Sequence, residues 1–340
     1  MDGKKEVTIY DIAEKLDLSP ATISRGLKDH PAIKKETRKR IKDTAQLMGY
    51  QNNLFASNLR TKKTNTIGII IPRINSYFMS TVISGIEHVV NAQGYSLIIS
   101  QSQETFEKEI KNATTMYNSR VDGLLVSLTY TTENIQHFEA LRRKSIPVIF
   151  FDRVFDDPTC TNVVIDNTKA GYDATLHLLE QGRQRIIHLC GHLNRNTYAD
   201  RLKGYRMALQ EKGIAYDETL VIVNPLNEQG GVEAAQHILQ LATRPDGIFA
   251  ANDSSAVACM QVLKAAGIRI PEDIAVVGFN NDPIARVIEP NLTTIHYPGY
   301  EMGQIAATTL INTIHNSRTS PINTLVLKHE LLVRESSRAK

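Results

Sequence analysis

The 340-residue sequence predicts an α/β protein made of a small all-α head followed by two doubly wound lobes, and three features of the sequence point there. Residues 7–50 hold three short amphipathic stretches separated by helix-capping residues. From residue 67 onward, short apolar runs alternate with amphipathic stretches, which is the rhythm of parallel-sheet units. Charge divides in the same place: residues 1–63 carry 14 Lys plus Arg against 8 Asp plus Glu, a net of +6, and the remainder carries 25 against 28, a net of −3.

In the head, Thr8 with Asp11 three residues on predicts a capped first helix whose apolar stripe is Ile9, Ile12, Ala13 and Leu16. A turn at Asp17 and Leu18 ends it. Ser19 caps the next helix, and Pro20 takes its first position, where no amide donor is needed. Ile23 and Leu27 face back towards the first helix, giving a helix-turn-helix. A third helix from about Lys35 to Met48 puts Ile41, Ala45 and Met48 on one face, and Gly49 supplies a left-handed stop.

Residues 51–66, QNNLFASNLRTKKTNT, are polar and basic and predict a linker with one or two helical turns. Strands follow at Ile67–Ile71, Ser96–Ser100, Gly123–Ser127 and Pro147–Phe151, with helices around Tyr77–Asn91, Glu104–Asn118 and Asn134–Lys144 between them. A second run has strands at Val163–Ile165, Ile186–Leu189, Gly247–Ala250 and Ile274–Val277. Its helices lie around Lys169–Gln181, Tyr198–Glu211, Val232–Leu241 and Ser254–Ala266. The expected division is a head at 1–50, a linker at 51–66 and a two-lobed body at 67–340.

Composition excludes several classes. A hydrophobic content of 42% is ample for buried cores, and no apolar run reaches membrane length. Cys160, Cys190 and Cys259 lie far apart without metal spacing, as reduced core residues of a cytosolic protein do. The stretch MDGKKEVTIYD lacks the apolar segment of an export signal, so the expected compartment is the cytoplasm. No G-x-G-x-x-G follows a strand, and neither G-x-x-x-x-G-K-[ST] nor H-E-x-x-H occurs. His188 and His192 straddle a strand end without ligand geometry, and Asp152 and Asp166 are strand-end polar residues rather than an acid/base pair. No catalytic group, metal or cofactor is expected. The basic head is an electrostatic footprint for phosphate, although a basic end also suits a membrane surface.

The stretches VTIYDIAEKLDLSPATISRGL and ETRKRI, with GY-x-x-N and A-x-x-L, resemble the LacI/GalR family of bacterial transcriptional regulators over essentially the whole chain. That resemblance implies a periplasmic-binding-protein-like (type I) body, with lobe 1 at about 67–165 and 295–323 and lobe 2 at about 166–294 and 324–340. It implies a homodimer on double-stranded operator DNA, with Pro20, Ala21 and Arg25 at base edges and Tyr10, Ser19, Thr22 and Ser24 near phosphates. Chemistry independently favours Arg25, whose guanidinium matches guanine O6 and N7. By the same resemblance the linker is a hinge helix in which Asn53 and Leu59 contact DNA and Leu59 wedges into the minor groove. A small polar effector, a sugar or sugar derivative, is expected between the lobes at Tyr77, Phe78, Ser127, Asp152, Arg201, Asn252 and Asn280, with Asp282 nearby. Asn280 is a departure, since the family carries aspartate there, and Asn52 replaces its proline. A soluble sugar-binding protein and an enzyme on the same scaffold are the competing classes. The first has no use for the head and the second lacks a catalytic constellation.

Overall fold

The structure, a computed structural model, describes residues 7–50, 64–316 and 323–338. The chain forms two compact units, one ending at Thr64 and one beginning at Asn65.

The head is three helices: α1 (Ile9–Leu16), α2 (Pro20–Leu27) and α3 (Lys35–Leu47). Each of the first two starts where its cap dictates. Thr8 accepts from the Asp11 amide while the Asp11 carboxylate takes the Thr8 amide at 2.6 Å, closing a capping box. Asp17, in the left-handed region at φ 51°, ends α1. Ser19 accepts from the Thr22 amide at 3.2 Å, and Pro20 opens α2. Ile12, Ala13, Leu16, Ile23, Ile41 and Ala45 form the core of this unit. Gly26 makes the α2–α3 contact possible, because a β-carbon there would lie 2.4 Å from Ile41 Cδ1.

The body holds two six-stranded sheets. In the first, β1 (Thr66–Ile71), β2 (Ser96–Gln101), β3 (Gly123–Val126), β4 (Val148–Phe151), β5 (Thr161–Ile165) and β11 (Thr324–Leu327) run in the order β11-β5-β4-β3-β1-β2. In the second, β6 (Ile186–Cys190), β7 (Val221–Val223), β8 (Gly247–Ala250), β9 (Ala275–Asn280), β10 (Thr293–His296) and β12 (Glu330–Leu332) run in the order β12-β10-β9-β8-β6-β7. All pairings are parallel except β10 with β12. Each lobe therefore repeats one doubly wound order, and ligand sites in such sheets lie beyond the strands' carboxyl ends.

Helices α4 (Tyr77–Ala92), α5 (Phe106–Asn118), α6 (Glu139–Arg143) and α11 (Gly299–His315) belong with the first sheet, and α7 (Asn167–Glu180), α8 (Asn196–Glu211), α9 (Glu228–Gln240) and α10 (Asp253–Ala265) with the second. The α7–α8 crossing is close. A β-carbon on Gly204 would lie 2.0 Å from the Thr168 carbonyl oxygen, and one on Gly171 would lie 2.3 Å from that of Arg201. Two glycines facing each other thus let α8 sink far enough to bury Arg201.

Five elements, β7, β10, α11, β11 and β12, had no counterpart in the sequence pattern, and three further features differ from it. The third crossing, expected near Thr324, falls at Lys328–His329, because Thr324–Leu327 extends the first sheet in register with Asn162–Ile165. The second crossing follows His296, since β10 pairs with β9 and so belongs to the second lobe. The helix expected over Asn134–Lys144 is one 3-10 turn, Gln136–Phe138, and the short α6. Asn134 turns the chain by accepting from the Gln136 amide, and Phe138 drops into the core. The linker at residues 51–63, with Asn53 and Leu59, lies outside the described residues, and Thr66 already belongs to β1.

Candidate nucleic-acid interface and effector cleft

On the head, the helix that Ser19 and Pro20 open presents Ala21 and Arg25 to solvent, with Thr22 and Ser24 half-buried beside them. Arg25 has no side-chain partner among the described residues, so its guanidinium fork is available to an outside acceptor. Tyr10 on α1 is 68% exposed. Ser19 and Thr22 hydroxyls lie 2.8 Å apart, so each is partly occupied by the other. Arg40 donates to the Leu16 carbonyl at the end of α1 and Arg38 to that of Asp29 after α2, tying α3 to both.

Within the body, the residues just beyond the strand ends enclose a cleft of about 710 Å³. Arg201 is its buried centre. The side chain is 3% exposed, its Nε donates to Asn167 Oδ1 at 2.9 Å, its Nη1 donates to the Ala251 carbonyl at 2.8 Å, and the guanidinium lies 3.5 Å over the Phe279 ring. Burial pulls its pKa below the usual arginine value. A cation held this way is a fixed donor rather than a swinging one.

Of the other expected residues, Tyr77, Phe78, Asp152, Asn252, Asn280 and Asp282 all border the cleft. Ser127 does not. It is fully buried one layer behind, donating to Asp152 Oδ2 at 3.3 Å. Asp152, in the left-handed region at φ 58°, also accepts from the Tyr297 hydroxyl at 2.9 Å, and Tyr297 stacks on Phe78 at 4.2 Å. Asp152 is thereby tied to the segment that crosses between the lobes. Burial raises its pKa, while Arg153, Tyr297 and Arg201 oppose the shift. Asn252 caps α10 by accepting from the Ser255 amide and donates to the Leu226 carbonyl at 2.6 Å, so much of its hydrogen-bonding capacity is spent structurally.

Sequence patterns missed the bridge between lobes. Arg153 donates through Nη1 to both oxygens of Glu104 at 3.0 and 2.9 Å, and through Nη2 to the hydroxyls of Tyr130 at 3.2 Å and Tyr198 at 3.1 Å. Tyr198 lies on α8 of the second lobe and the other three on the first. Arg195 adds a second tie, donating to the Thr132 carbonyl at 2.7 Å. These partners are 23 to 63 positions apart in sequence, so no periodicity marks them. The only local hint is the position of Arg153 directly after Asp152.

The cysteines are buried and free, and burial pushes Cys190 and Cys259 up to about 12. His188 is buried with Nδ1 at 2.9 Å from the Phe249 carbonyl and its pKa lowered to about 4. Among the described residues no group of His, Cys, Asp or Glu is arranged to hold a metal, and no helix is long and apolar enough to cross a membrane.

Residues 8–53 match the model of bacterial regulatory proteins, lacI family, and residues 175–337 match a periplasmic binding protein-like domain. Catabolite control protein A of Priestia megaterium is 30% identical over 98% of this chain and 99% of its own length. The chain belongs to the LacI family. This regulator is also 32% identical to the HTH-type transcriptional regulator RegA of Clostridium saccharobutylicum, over 97% of this chain and 99% of that one. Among solved structures, the transcriptional regulator CelR in complex with cellobiose is 28% identical with a TM-score of 0.74, covering 97% of this chain and all of that one. The lac repressor dimer bound to operator and the anti-inducer ONPF superimposes with a TM-score of 0.88 over 98% of this chain and all of that one. At 22% identity it bears on the fold alone. The chain is a DNA-binding transcriptional regulator of the LacI type.

Proposed function

We propose that this regulator is a cytoplasmic homodimer that represses carbohydrate-related genes and releases or tightens its operator according to a small saccharide held between the lobes. In this reading α2 enters the major groove, with Arg25 paired to a guanine edge, Pro20 and Ala21 in apolar contact with bases, and Tyr10, Ser19, Thr22 and Ser24 at phosphates. Asn53 and Leu59 act in the hinge. One helix covers only a few base pairs, so a two-fold dimer on a near-palindromic site is the economical arrangement. The observation that carries the reading is a Pro-opened helix with an exposed, unpartnered Arg25 on the same chain as a cleft centred on a buried arginine. The cellobiose held by CelR supports a saccharide as ligand here. The test is selection of binding sites from fragmented genomic DNA with the full-length protein, followed by sedimentation of the complex. Enriched sites with two-fold symmetry and a complex of two chains per site are expected. Enrichment without symmetry, or a stable one-chain complex, refutes the dimer reading.

A further inference from the structure

The two lobes repeat one strand order, in which β6 stands where β1 does, β8 where β3 does and β9 where β4 does, yet the two edges of the cleft are built differently. The segment after β6 reaches across to the loops after β3 and β4. Asn196 accepts from the Val154 amide at 3.0 Å and donates to the Asp152 carbonyl at 3.2 Å, Arg195 donates to the Thr132 carbonyl at 2.7 Å, and Tyr198 accepts from Arg153 at 3.1 Å. The matching contact would run from the loop after β1, with Arg73 and Asn75, to the segments after β8 and β9. Both sides border the cleft there, and among the described residues no hydrogen bond joins them. One edge is thus tied and the other is open to a ligand.

With the tied edge holding the lobes together, the 710 Å³ of the cleft is more than one sugar ring needs. Even at the ~30 Å³ that a water molecule takes in the liquid, the roughly one dozen non-hydrogen atoms of a hexose fill only about half of it. Charge bears on the ligand as well. Arg73, Arg153 and Arg201 along the cleft meet Glu104, Asp152, Glu228 and Asp282, one negative charge in excess, which suits a neutral ligand better than an anionic one. Deep in the cleft, Arg201 Nη2 has no partner among the described residues and lies beside the stacked Phe78 and Tyr297. Nearer the open edge, the Tyr77 ring is 49% exposed, the exposed Gln261 amide has no hydrogen-bond partner among the described residues, and neither does the Asn227 amine. An exposed aromatic face with unspent amides opposite it suits a second ring, whose C–H face is apolar and whose rim carries hydroxyls.

We infer that the effector is a neutral oligosaccharide of at least two rings, admitted through the untied edge, with its inner ring on Arg201 and its outer ring between Tyr77 of the first lobe and Gln261 of the second; this rests on the saccharide reading of the cleft. A single ring answers Arg201 and leaves Tyr77 and Gln261 to water. A second ring joins the lobes along the edge where the protein itself does not, which makes Tyr77 and Gln261 the residues that select for chain length.

The test is calorimetry of the full-length protein with matched sets: glucose, cellobiose, maltose and glucuronate; galactose, lactose and galacturonate; xylose and xylobiose; mannose and mannobiose; and ribose as a further single ring. At least one disaccharide is expected to bind tenfold or more tightly than its constituent monosaccharides, and each acid no more tightly than its neutral parent. Tyr77→Ala and Gln261→Ala each narrow the disaccharide preference to about threefold or less in a protein of unchanged melting temperature, and Tyr77→Phe retains it. A monosaccharide that binds as tightly as the best disaccharide, an acid that binds more tightly than its parent, or a preference that survives Tyr77→Ala and Gln261→Ala combined overturns the inference and leaves the saccharide reading standing. Absence of binding by every member of the panel overturns both.

Discussion

The head and the cleft solve the problem of presenting an arginine in opposite ways. On the head, Arg25 stands in solvent on a helix whose inner face, through Ile23, holds the core. In the cleft, Arg201 is 3% exposed and is bonded to Asn167 and Ala251, so the residue proposed for recognition is also a structural member. Recognition and stability are separable where the functional side chain adds nothing to the core. They are coupled where the side chain fills it.

The largest expected effect breaks the head alone. Ile41 is fully buried in a core of six residues, and Ile41→Ala removes about 2–5 kcal/mol, enough to unfold so small a unit. Calorimetry should then show the head transition lost and the body transition within a degree of wild type, with DNA binding abolished. A parallel loss in the body means the two units are not independent.

A smaller effect sharpens the cleft side. Gly204→Ala puts a β-carbon against the Thr168 carbonyl and forces α7 and α8 apart, at a cost of about 1–3 kcal/mol. Because the same crossing buries Arg201, the body's melting temperature and its affinity for sugar should fall together. A stability loss with unchanged sugar affinity breaks the coupling claimed for Arg201.

The smallest effect is a pH dependence. Burial raises Asp282 to about 6, above the usual carboxylate value of about 3.9, and raises its neighbour Asp253 as well. The folded state then holds these protons more tightly than the unfolded chain. The contribution of Asp282 is fully present below about pH 4 and is lost as pH rises through about 6. Asp282→Asn should flatten the fall in body melting temperature between pH 4.5 and 6.5. An unchanged slope assigns the dependence to Asp253 or elsewhere.

What the sequence made legible follows from the range of the interactions. The capping box of Thr8 and Asp11 and the Ser19 cap span three residues, so they appear in the sequence as they do in the structure. Neither β7, only three residues long, nor β10 and the α11 helix after it was expected, whereas the other strands bounded by helices were equally visible. β11 was not, because four residues of an edge strand do not say which sheet they join until the chain has folded. Strand-end logic placed Ser127 in the cleft, whereas its short side chain stops at Asp152. The bridge of Glu104, Tyr130, Arg153 and Tyr198 exists only once distant loops meet.

The most direct measurement is operator and sugar binding by Arg25→Ala and Arg201→Ala side by side with wild type, using the genomically selected site and the tightest-binding saccharide found by calorimetric screening. Arg25→Ala should lose about ten- to a hundredfold in operator affinity, keep its sugar affinity and melt within about 0.5 kcal/mol of wild type. Arg201→Ala should keep operator affinity without sugar, lose sugar binding by about tenfold or more, and melt lower because the Asn167 and Ala251 acceptors are left unpaired. If Arg25→Ala binds operator as wild type does, or Arg201→Ala still responds to sugar, the division of labour between exposed and buried arginine is wrong.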